Sequence, residues 1–385
     1  LDSIADLRTG IILEEVEAIT PNARFVVFDA CYNGDYREDD FIAGHYIMAP
    51  GRCVTTFANS VNVLQDKSAF DLLGLLGEGL RIGAWAKNIH ILESHVIGDP
   101  TYRFKAARPE LGINSMALKR DNGFWLGQLD NAVPDIQNLA MIRLWENDYP
   151  QLPAILLDKC AGSPYSVVRY NAFRLLESLN GPEYKQALML AAYDRFEFLR
   201  RIAVTRMGRI GDEAFIPVLI DVYVKDRNAA RIVFNISEAI RCFDKPKVEK
   251  AIETYFADKD FYHAREEKQE LLDKLIERDG LSPGESSTRE ILDSHGKLRW
   301  RQSRISFLKN RPYHQHVTEY LTLLADEQAP EILRVRMAEA LAWFNLSVRR
   351  HEIADAGRQL LARGNCSPEL AKEVQRMINR VESKK

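Results

Sequence analysis

The strongest constraint on the fold is a spacing of apolar residues that recurs through the C-terminal two thirds of the chain. Four sets of three apolar residues share internal steps of 8 and 3 residues, and the first three sets begin 31 and 33 residues apart. A period of this length fits a unit of two helices. Such a unit cannot bury its apolar face alone, so stacked units must share one core. The sets are Val168/Leu176/Leu179, Leu199/Met207/Ile210, Ile232/Ile240/Phe243 and Leu333/Leu341/Phe344.

An arginine follows the first apolar residue in three of these sets, and a small residue comes three positions later in two of them. The pattern resembles HEAT-type and related α-solenoid repeats, and a compact helical bundle is the alternative. The third and fourth sets begin 101 residues apart, which leaves room for two divergent units and an insertion near residues 280–290. We therefore expect residues 129–385 to form an all-α solenoid of HEAT-like repeats. The arginines are Arg169, Arg200 and Arg334, and the small residues are Ala172 and Ala203.

Residues 1–128 have a different pattern, in which strands and helices alternate. Short apolar or β-branched runs at residues 24–28 and 53–58 predict buried strands. Apolar residues at helical spacing predict helices over residues 41–48 and 69–85. Strands separated by helices indicate an α/β portion with a parallel sheet and flanking helices on both faces.

Cys31 lies three residues after the first of these apolar runs. In open α/β sheets, catalytic groups collect at the carboxyl ends of the strands, so the position favours a functional thiol. The alternative is a buried cysteine that acts as a small hydrophobic residue. The five cysteines (31, 53, 160, 242 and 366) contain no C-x-x-C pair, which argues against a zinc knuckle or a dense disulfide framework.

The sequence around this thiol resembles the catalytic core of the gingipain family of cysteine peptidases. The similar segments are residues 25–34 (FVVFDACYNG), 40–44 (DFIAG) and 58–62 (ANSVN), and residues 98–101 (GDPT) resemble the end of that peptidase domain. The resemblance covers about residues 1–110 and implies a caspase-like fold, in which the nucleophilic cysteine ends a parallel strand. It also implies that Cys31 is the nucleophile, that the substrate is a polypeptide, that no cofactor is needed, and that the protein is extracytoplasmic (periplasmic, surface or secreted).

A cysteine peptidase needs a histidine that activates the thiol. The resemblance places this histidine in a His-Gly motif on the preceding strand, but residues 1–32 contain no histidine. Because the chain starts at Leu1 and not at methionine, we expect the motif to lie upstream and the chain as given to be inactive. The alternative is a degenerate domain, and the protein would then be a non-catalytic protein-binding scaffold.

Other polar residues near the thiol are weaker candidates. Asn59 and Ser60 follow the second predicted strand at the same sheet edge, and the resemblance to a caspase-like fold implies that they help to form the substrate pocket. His45, in the predicted helix 41–48, could replace the missing histidine, although a partly exposed helix residue is the simpler interpretation. A group of acidic residues could favour a basic substrate side chain or form a solvated loop before the helix. The group consists of Asp35, Glu38, Asp39 and Asp40.

Two further patterns argue against bound groups. His90 and His95 are five residues apart, which on a helix separates them by about 140° and disfavours a shared zinc ion. The glycine-rich residues 74–83 do not follow a strand in a G-x-G-x-x-G pattern, which argues against a dinucleotide site. We therefore predict no metal and no cofactor.

Charge limits the partners of the protein. A net charge of −3 argues against a globally basic nucleic-acid binder. Uncharged stretches such as residues 53–65 are shorter than the roughly 20 residues that span a bilayer, so no membrane span is expected. Residues 297–311 carry six cations and no acidic residue, interleaved with aromatic residues. We expect this basic stretch to bind an acidic protein or polysaccharide, with nucleic acid a weaker candidate; the alternative is a solvated helix face whose aromatics point into the core.

Overall fold

The structure, a computed structural model, describes residues 13–62, 71–89, 92–276 and 280–383. The chain divides into two units, Leu1–Leu175 and Leu176–Lys385. This division follows the packing of the backbone into compact units, whereas the boundary predicted after residue 128 marks the change from alternating strands and helices to helices alone. That boundary stays a prediction.

A three-stranded sheet organises the N-terminal unit. Its strands are β1 (Phe25–Val27), β2 (Thr55–Asn59) and β3 (Ser94–Gly98), in that spatial order. β1 runs parallel to β2, with Phe25 opposite Thr55, and β3 runs antiparallel to β2, with Thr55 opposite Gly98. The two predicted strands are therefore confirmed to within two residues, but the sheet is mixed and not parallel throughout.

The third strand explains this correction. Residues 94–98 carry a weak strand signal, because the segment is short and contains a histidine and a glycine. Gly98 has φ +97°, and a Cβ there would lie 2.4 Å from the Val54 carbonyl oxygen. Only glycine fits this close approach of the two backbones.

Helices cover both faces of the sheet, as predicted. α1 (Leu13–Ala18) precedes β1, and α2 (Ile42–Met48) confirms the helix expected over residues 41–48. The Tyr46 ring of α2 packs edge-to-face on Phe28 at 5.0 Å, while Trp85 packs on Phe25 and Phe57 at 5.9 and 4.9 Å. Because successive residues point to opposite faces of a strand, Phe25 and Phe28 belong to different faces. Trp85 is completely buried in the core on the face of the sheet that carries Phe25 and Phe57.

The helix predicted over residues 69–85 is wrong as a single element. The described part of this segment forms α3 (Leu73–Gly77) and α4 (Ile82–Lys87), and residues 69 and 70 lie outside the described residues. Gly79 has φ +82° and interrupts the helix. The Asn114 side chain holds the break, since its amide donates to the Gly79 carbonyl (2.9 Å) and its oxygen accepts from the Arg81 amide (3.1 Å).

Helices make up the rest of the described chain. The N-terminal unit continues with α5 (Ile113–Met116), α6 (Asn122–Leu126), α7 (Pro134–Glu146), α8 (Leu152–Gly162) and α9 (Ser166–Leu179), which runs across the division between the units. The C-terminal unit contains α10 (Pro182–Ala191), α11 (Glu197–Ile210), α12 (Ile216–Lys225), α13 (Ala230–Ile240), α14 (Lys245–Phe256), α15 (Ala264–Asp273), α16 (Pro283–Leu292), α17 (Leu298–Phe307), α18 (Val317–Ala325), α19 (Glu331–Leu341), α20 (Arg350–Ala362) and α21 (Pro368–Glu382).

These helices form a repeat-like, solenoid-like arrangement in the C-terminal unit. From α10 onward they pack in consecutive pairs, and α11, α17 and α19 also pack on α13, α19 and α21, respectively. The repeated apolar sets lie on α9, α11, α13 and α19 or directly after them, and ten of their twelve members are buried. The periodicity therefore identified the core positions correctly. The two half-buried members are Leu179 and Ile210.

The segment near which an insertion was predicted begins a helix, and the insertion itself stays a prediction. Five helices, α14 to α18, lie in the interval between the third and fourth apolar sets, where α14 packs on α15 and α16 packs on α17. Ser282 begins α16 with a capping box, in which its hydroxyl accepts from the Glu285 amide and the Glu285 carboxylate accepts from the Ser282 amide. The Ser-Pro-Gly-Glu sequence is thus a helix start.

The recurring arginines have one structural role. Arg169, Arg200 and Arg334 each donate from the guanidinium to a main-chain carbonyl at or just after the end of the preceding helix. The distances are 2.9, 2.7 and 2.9 Å. Arg301 repeats the contact on the Ile291 carbonyl at 2.8 Å. A cation at the carbonyl end of a helix satisfies orphan acceptors and complements the helix dipole.

One buried histidine links parts of the C-terminal unit that are distant in sequence. His314 Nε2 lies 2.8 Å from the Gly208 carbonyl oxygen, and Nδ1 lies 2.8 Å from Ser347 Oγ. Nearby, the Val348 amide donates to the Ile210 carbonyl at 2.9 Å. In an ideal solenoid each repeat contacts only its neighbours. The contacts of His314 with Gly208 and of Val348 with Ile210 join residues more than 100 positions apart and so depart from that rule.

Candidate functional site at the end of the first strand

Cys31 lies in a turn just beyond β1. The strand hydrogen bonding continues through the Phe28 amide, which donates to the Phe57 carbonyl at 2.8 Å, and the chain then turns over residues 30–34. Cys31 is exposed. All five cysteines lie in the described part of the chain, and none forms a disulfide there.

The segment after β2 holds this turn in place. The Tyr32 amide donates to the Val61 carbonyl (3.2 Å), and the Gly34 amide donates to the Asn59 carbonyl (2.9 Å). Tyr32 has φ +55°, a left-handed conformation that costs a residue other than glycine about 1 kcal/mol or more and is concentrated at functional sites. A Cβ on Gly34 would lie 2.7 Å from Ala58 Cβ, so the turn packs tightly on β2.

The two predicted substrate-binding residues, Asn59 and Ser60, lie at the expected edge but are buried. The Asn59 amide donates to the Phe28 carbonyl at 3.0 Å, and its oxygen accepts from Ser94 Oγ at 2.6 Å. Ser60 Oγ lies 2.8 Å from His95 Nε2. The Asn59 side chain therefore supports the turn that carries Cys31, whereas the Ser60 side chain contacts β3 and the residue before it. Their role in substrate binding stays a prediction.

The nearby histidines bond to other groups. His45 lies in α2 as predicted, with Nε2 3.2 Å from Asp40 Oδ1. His95 lies in β3, where it contacts Ser60 and packs edge-to-face on Tyr36 at 4.9 Å. The earlier assumption that His95 lies on a helix is therefore wrong. His90, the other histidine of that argument, lies outside the described residues. Across the described ranges, no group of three or more His, Cys, Asp or Glu side chains could hold a metal ion.

A shallow cleft of about 440 Å³ opens beside Cys31. Three of the predicted acidic residues, Asp35, Glu38 and Asp40, line it. Arg37 binds Asp35 through two hydrogen bonds of 2.6 and 2.7 Å, and this contact holds the pKa of Asp35 below its usual value. Arg37 also donates to the Ser60 carbonyl at 3.0 Å, so it ties the acidic loop to the segment after β2.

Sequence reasoning considered His95 only as a possible zinc ligand and did not consider Arg37. The strand that carries His95 has only a weak sequence signal, the two β-branched residues Val96 and Ile97. Arg37 lies within the acidic group and is two residues from Asp35, so a local ion pair was predictable. Its contact with the Ser60 carbonyl depends on the pairing of the strands and has no sequence signal.

The basic stretch lies on α17 and the residues after it, and most of its charges are used within the chain. Arg304 pairs with Glu290, Lys309 with Glu339 and Arg311 with Glu238. Arg301 is the buried capping arginine described above. Lys297 and Arg299 remain exposed. Of the aromatic residues, Tyr313 is buried, whereas Trp300 and Phe307 are exposed.

No family model matches this chain, and no curated protein matches it. Among solved structures, human deoxyhypusine hydroxylase in complex with glycerol aligns with a TM-score of 0.26 and 16% sequence identity, over 62% of this chain and 99% of that one. A similarity this low carries no argument about function. None of the helices in the described residues combines the length and the apolarity needed to cross a membrane.

Proposed function

We propose that Cys31 is the nucleophile of a cysteine-type endopeptidase of the gingipain-like class. The observation that supports this proposal is the placement of an exposed thiol just after a strand of a parallel pair, at the wall of a cleft. The strained conformation of Tyr32, the next residue, also fits a functional turn. By the same resemblance we place the protein outside the cytoplasm.

In the proposed reaction the Cys31 thiolate attacks the carbonyl carbon of a peptide bond. The amine leaves with a proton, and water hydrolyses the resulting thioester. Glu38 and Asp40 would favour a basic side chain in the cleft. No histidine is among the described residues that line the cleft. We therefore propose that the histidine base lies on a segment outside the described cleft residues and that residues 1–385 alone do not cleave peptides.

We propose that the helical pairs are HEAT-like repeats that bind partners or substrates. The recurring arginine supports this interpretation, because it occupies the same place in four helical pairs and makes the same contact in each. A non-catalytic scaffold, in which only the repeats are functional, is the second candidate. The absence of a histidine among the described cleft residues favours it.

The experiment compares peptide cleavage by residues 1–385 with cleavage by a longer form that includes the upstream coding sequence. We expect activity only in the longer form and its loss in Cys31→Ser. Cys366→Ser, which alters a half-buried thiol in the C-terminal unit, is the matched control and should remain active. A longer form without cysteine-dependent cleavage would leave the scaffold as the better proposal.

A further inference from the structure

The α17 helix has two apolar faces, and only one of them is packed. Ile305 and Leu308 point into the core and are completely buried. On the opposite side, Trp300 and Phe307 are 65% and 51% exposed, which is unusual for such large apolar side chains. Residues seven apart lie on the same face of a helix, so these two rings form one exposed stripe with Arg304 between them.

The N-terminus of α17 carries an unfavourable charge arrangement. Lys297 is its N-cap residue and makes no capping hydrogen bond, and its first turn contains no acidic residue. Lys297 and Arg299 thus lie at the positive end of the helix dipole, where anions are favoured. By contrast, α19, α20 and α21 each have a glutamate in the first turn.

We propose that this surface, the α17 face formed by Lys297, Arg299, Trp300, Arg304 and Phe307, binds a segment of a partner protein that carries apolar side chains flanked by aspartate or glutamate. The acidic groups would neutralise the two cations at the helix N-terminus. The apolar groups would cover the exposed rings. Tryptophan and arginine are the residue types that most often dominate the binding energy of protein interfaces.

The charges favour a protein segment over a polyanion. Binding of nucleic acid or an anionic polysaccharide depends on many cations that displace counterions. Here Arg304 already pairs with Glu290, and Lys309 and Arg311 pair with carboxylates of other helices. Two exposed cations and two exposed aromatic rings suit a short segment with apolar anchors at helical spacing. This proposal is independent of the chemistry proposed for Cys31.

The test is selection of a phage-displayed random peptide library against the full chain, followed by fluorescence polarisation with the selected peptides. We expect selected peptides to be acidic and to carry apolar residues three or four positions apart. The double variant Trp300→Ser/Phe307→Ser should bind them about 30-fold more weakly or worse. Lys297→Glu/Arg299→Glu should weaken binding about tenfold and reduce its salt dependence.

Phe234→Ser is the matched control, because Phe234 is a 62% exposed aromatic residue on another repeat helix, α13. It should leave the affinity unchanged. All altered residues except Phe234 belong to the proposed surface and are exposed, so the thermal midpoints of the variants should match that of the parent. Selected peptides without acidic residues would overturn the proposal. So would binding that survives loss of both rings, or preferential binding of heparin or an oligonucleotide that depends on the cations alone.

Discussion

Protonation of His314 should destabilise the C-terminal unit. The Gly208 carbonyl can only accept, so His314 Nε2 carries the proton of the neutral ring and Nδ1 accepts from the Ser347 hydroxyl. Burial lowers the pKa of His314 from an ordinary value of 6.5 to about 4; the hydrogen bond to the Gly208 carbonyl opposes this shift, and the positive charge of Arg349 contributes to it. The folded state therefore keeps the ring neutral, while the unfolded state takes up a proton as the pH falls below 6.5.

The size of the effect follows from linkage. Because the folded pKa is depressed, the stabilisation is complete above pH 6.5 and is lost as the pH falls toward 4. The full difference between the two pKa values corresponds to about 3 kcal/mol of unfolding free energy. Between pH 7.5 and pH 5 the expected loss is about 2 kcal/mol.

The assay is urea unfolding at both pH values for the parent, His314→Gln and His351→Gln. Glutamine cannot titrate in this range, so the pH-dependent loss in His314→Gln should be about 2 kcal/mol smaller than in the parent. His351 is exposed, and its variant should follow the parent. The reasoning is refuted if the parent and His314→Gln show parallel pH dependences, or if NMR shows the His314 ring titrating near 6.5 in the folded protein.

Two further predictions concern the arginine contacts and the thiols. Arg334→Ala should lower the unfolding free energy by about 2 kcal/mol, because it removes a buried, charged hydrogen bond to the Leu324 carbonyl. Arg336→Ala breaks an exposed pair with Glu339 and should lower the unfolding free energy by less than about 0.5 kcal/mol. Equal losses in thermal unfolding would contradict the capping role of Arg334. In limited alkylation followed by mass spectrometry, iodoacetamide should modify the exposed Cys31 before the half-buried Cys366. It should spare Cys242, because burial raises the pKa of this thiol to about 12. Early modification of Cys242 in the folded protein would contradict the burial of this thiol.

The repeats could be predicted from the sequence because each unit meets the same environment. Apolar residues at steps of 8 and 3 were identified as core, and the structure buries most of them. Pro, Gly and Ser near residue 283 were interpreted as the signal of an insertion, whereas the structure begins a helix there. The Glu285 that follows Ser282 by three residues is the capping-box signature, and it would have indicated a helix start.

Other features depend on contacts that leave no local pattern. The positive charges of the basic stretch pair with glutamates 14, 30 and 73 residues away, so counting charges along the chain overstates the free positive charge. The break between α3 and α4 is stabilised by Asn114, which lies more than 30 residues downstream. Neither the paired glutamates nor Asn114 could be identified before the fold was known.

The difference between local sequence patterns and long-range contacts also applies to Cys31. The place of the thiol followed from a local pattern, whereas the contacts that hold its turn did not. Cys31 follows an apolar run, and the end of a strand is where a sheet presents functional groups, so position favoured a functional thiol over a buried cysteine. Asn59 occupies the same edge, and the resemblance to a caspase-like fold implied that it contacts substrate. In the structure, however, both polar atoms of the Asn59 side chain are hydrogen-bonded within the protein. The amide nitrogen donates to the Phe28 carbonyl, and the amide oxygen accepts from Ser94 Oγ. Sequence position can thus indicate which residues lie at a sheet edge, but the pairing of the strands decides which of them face outward.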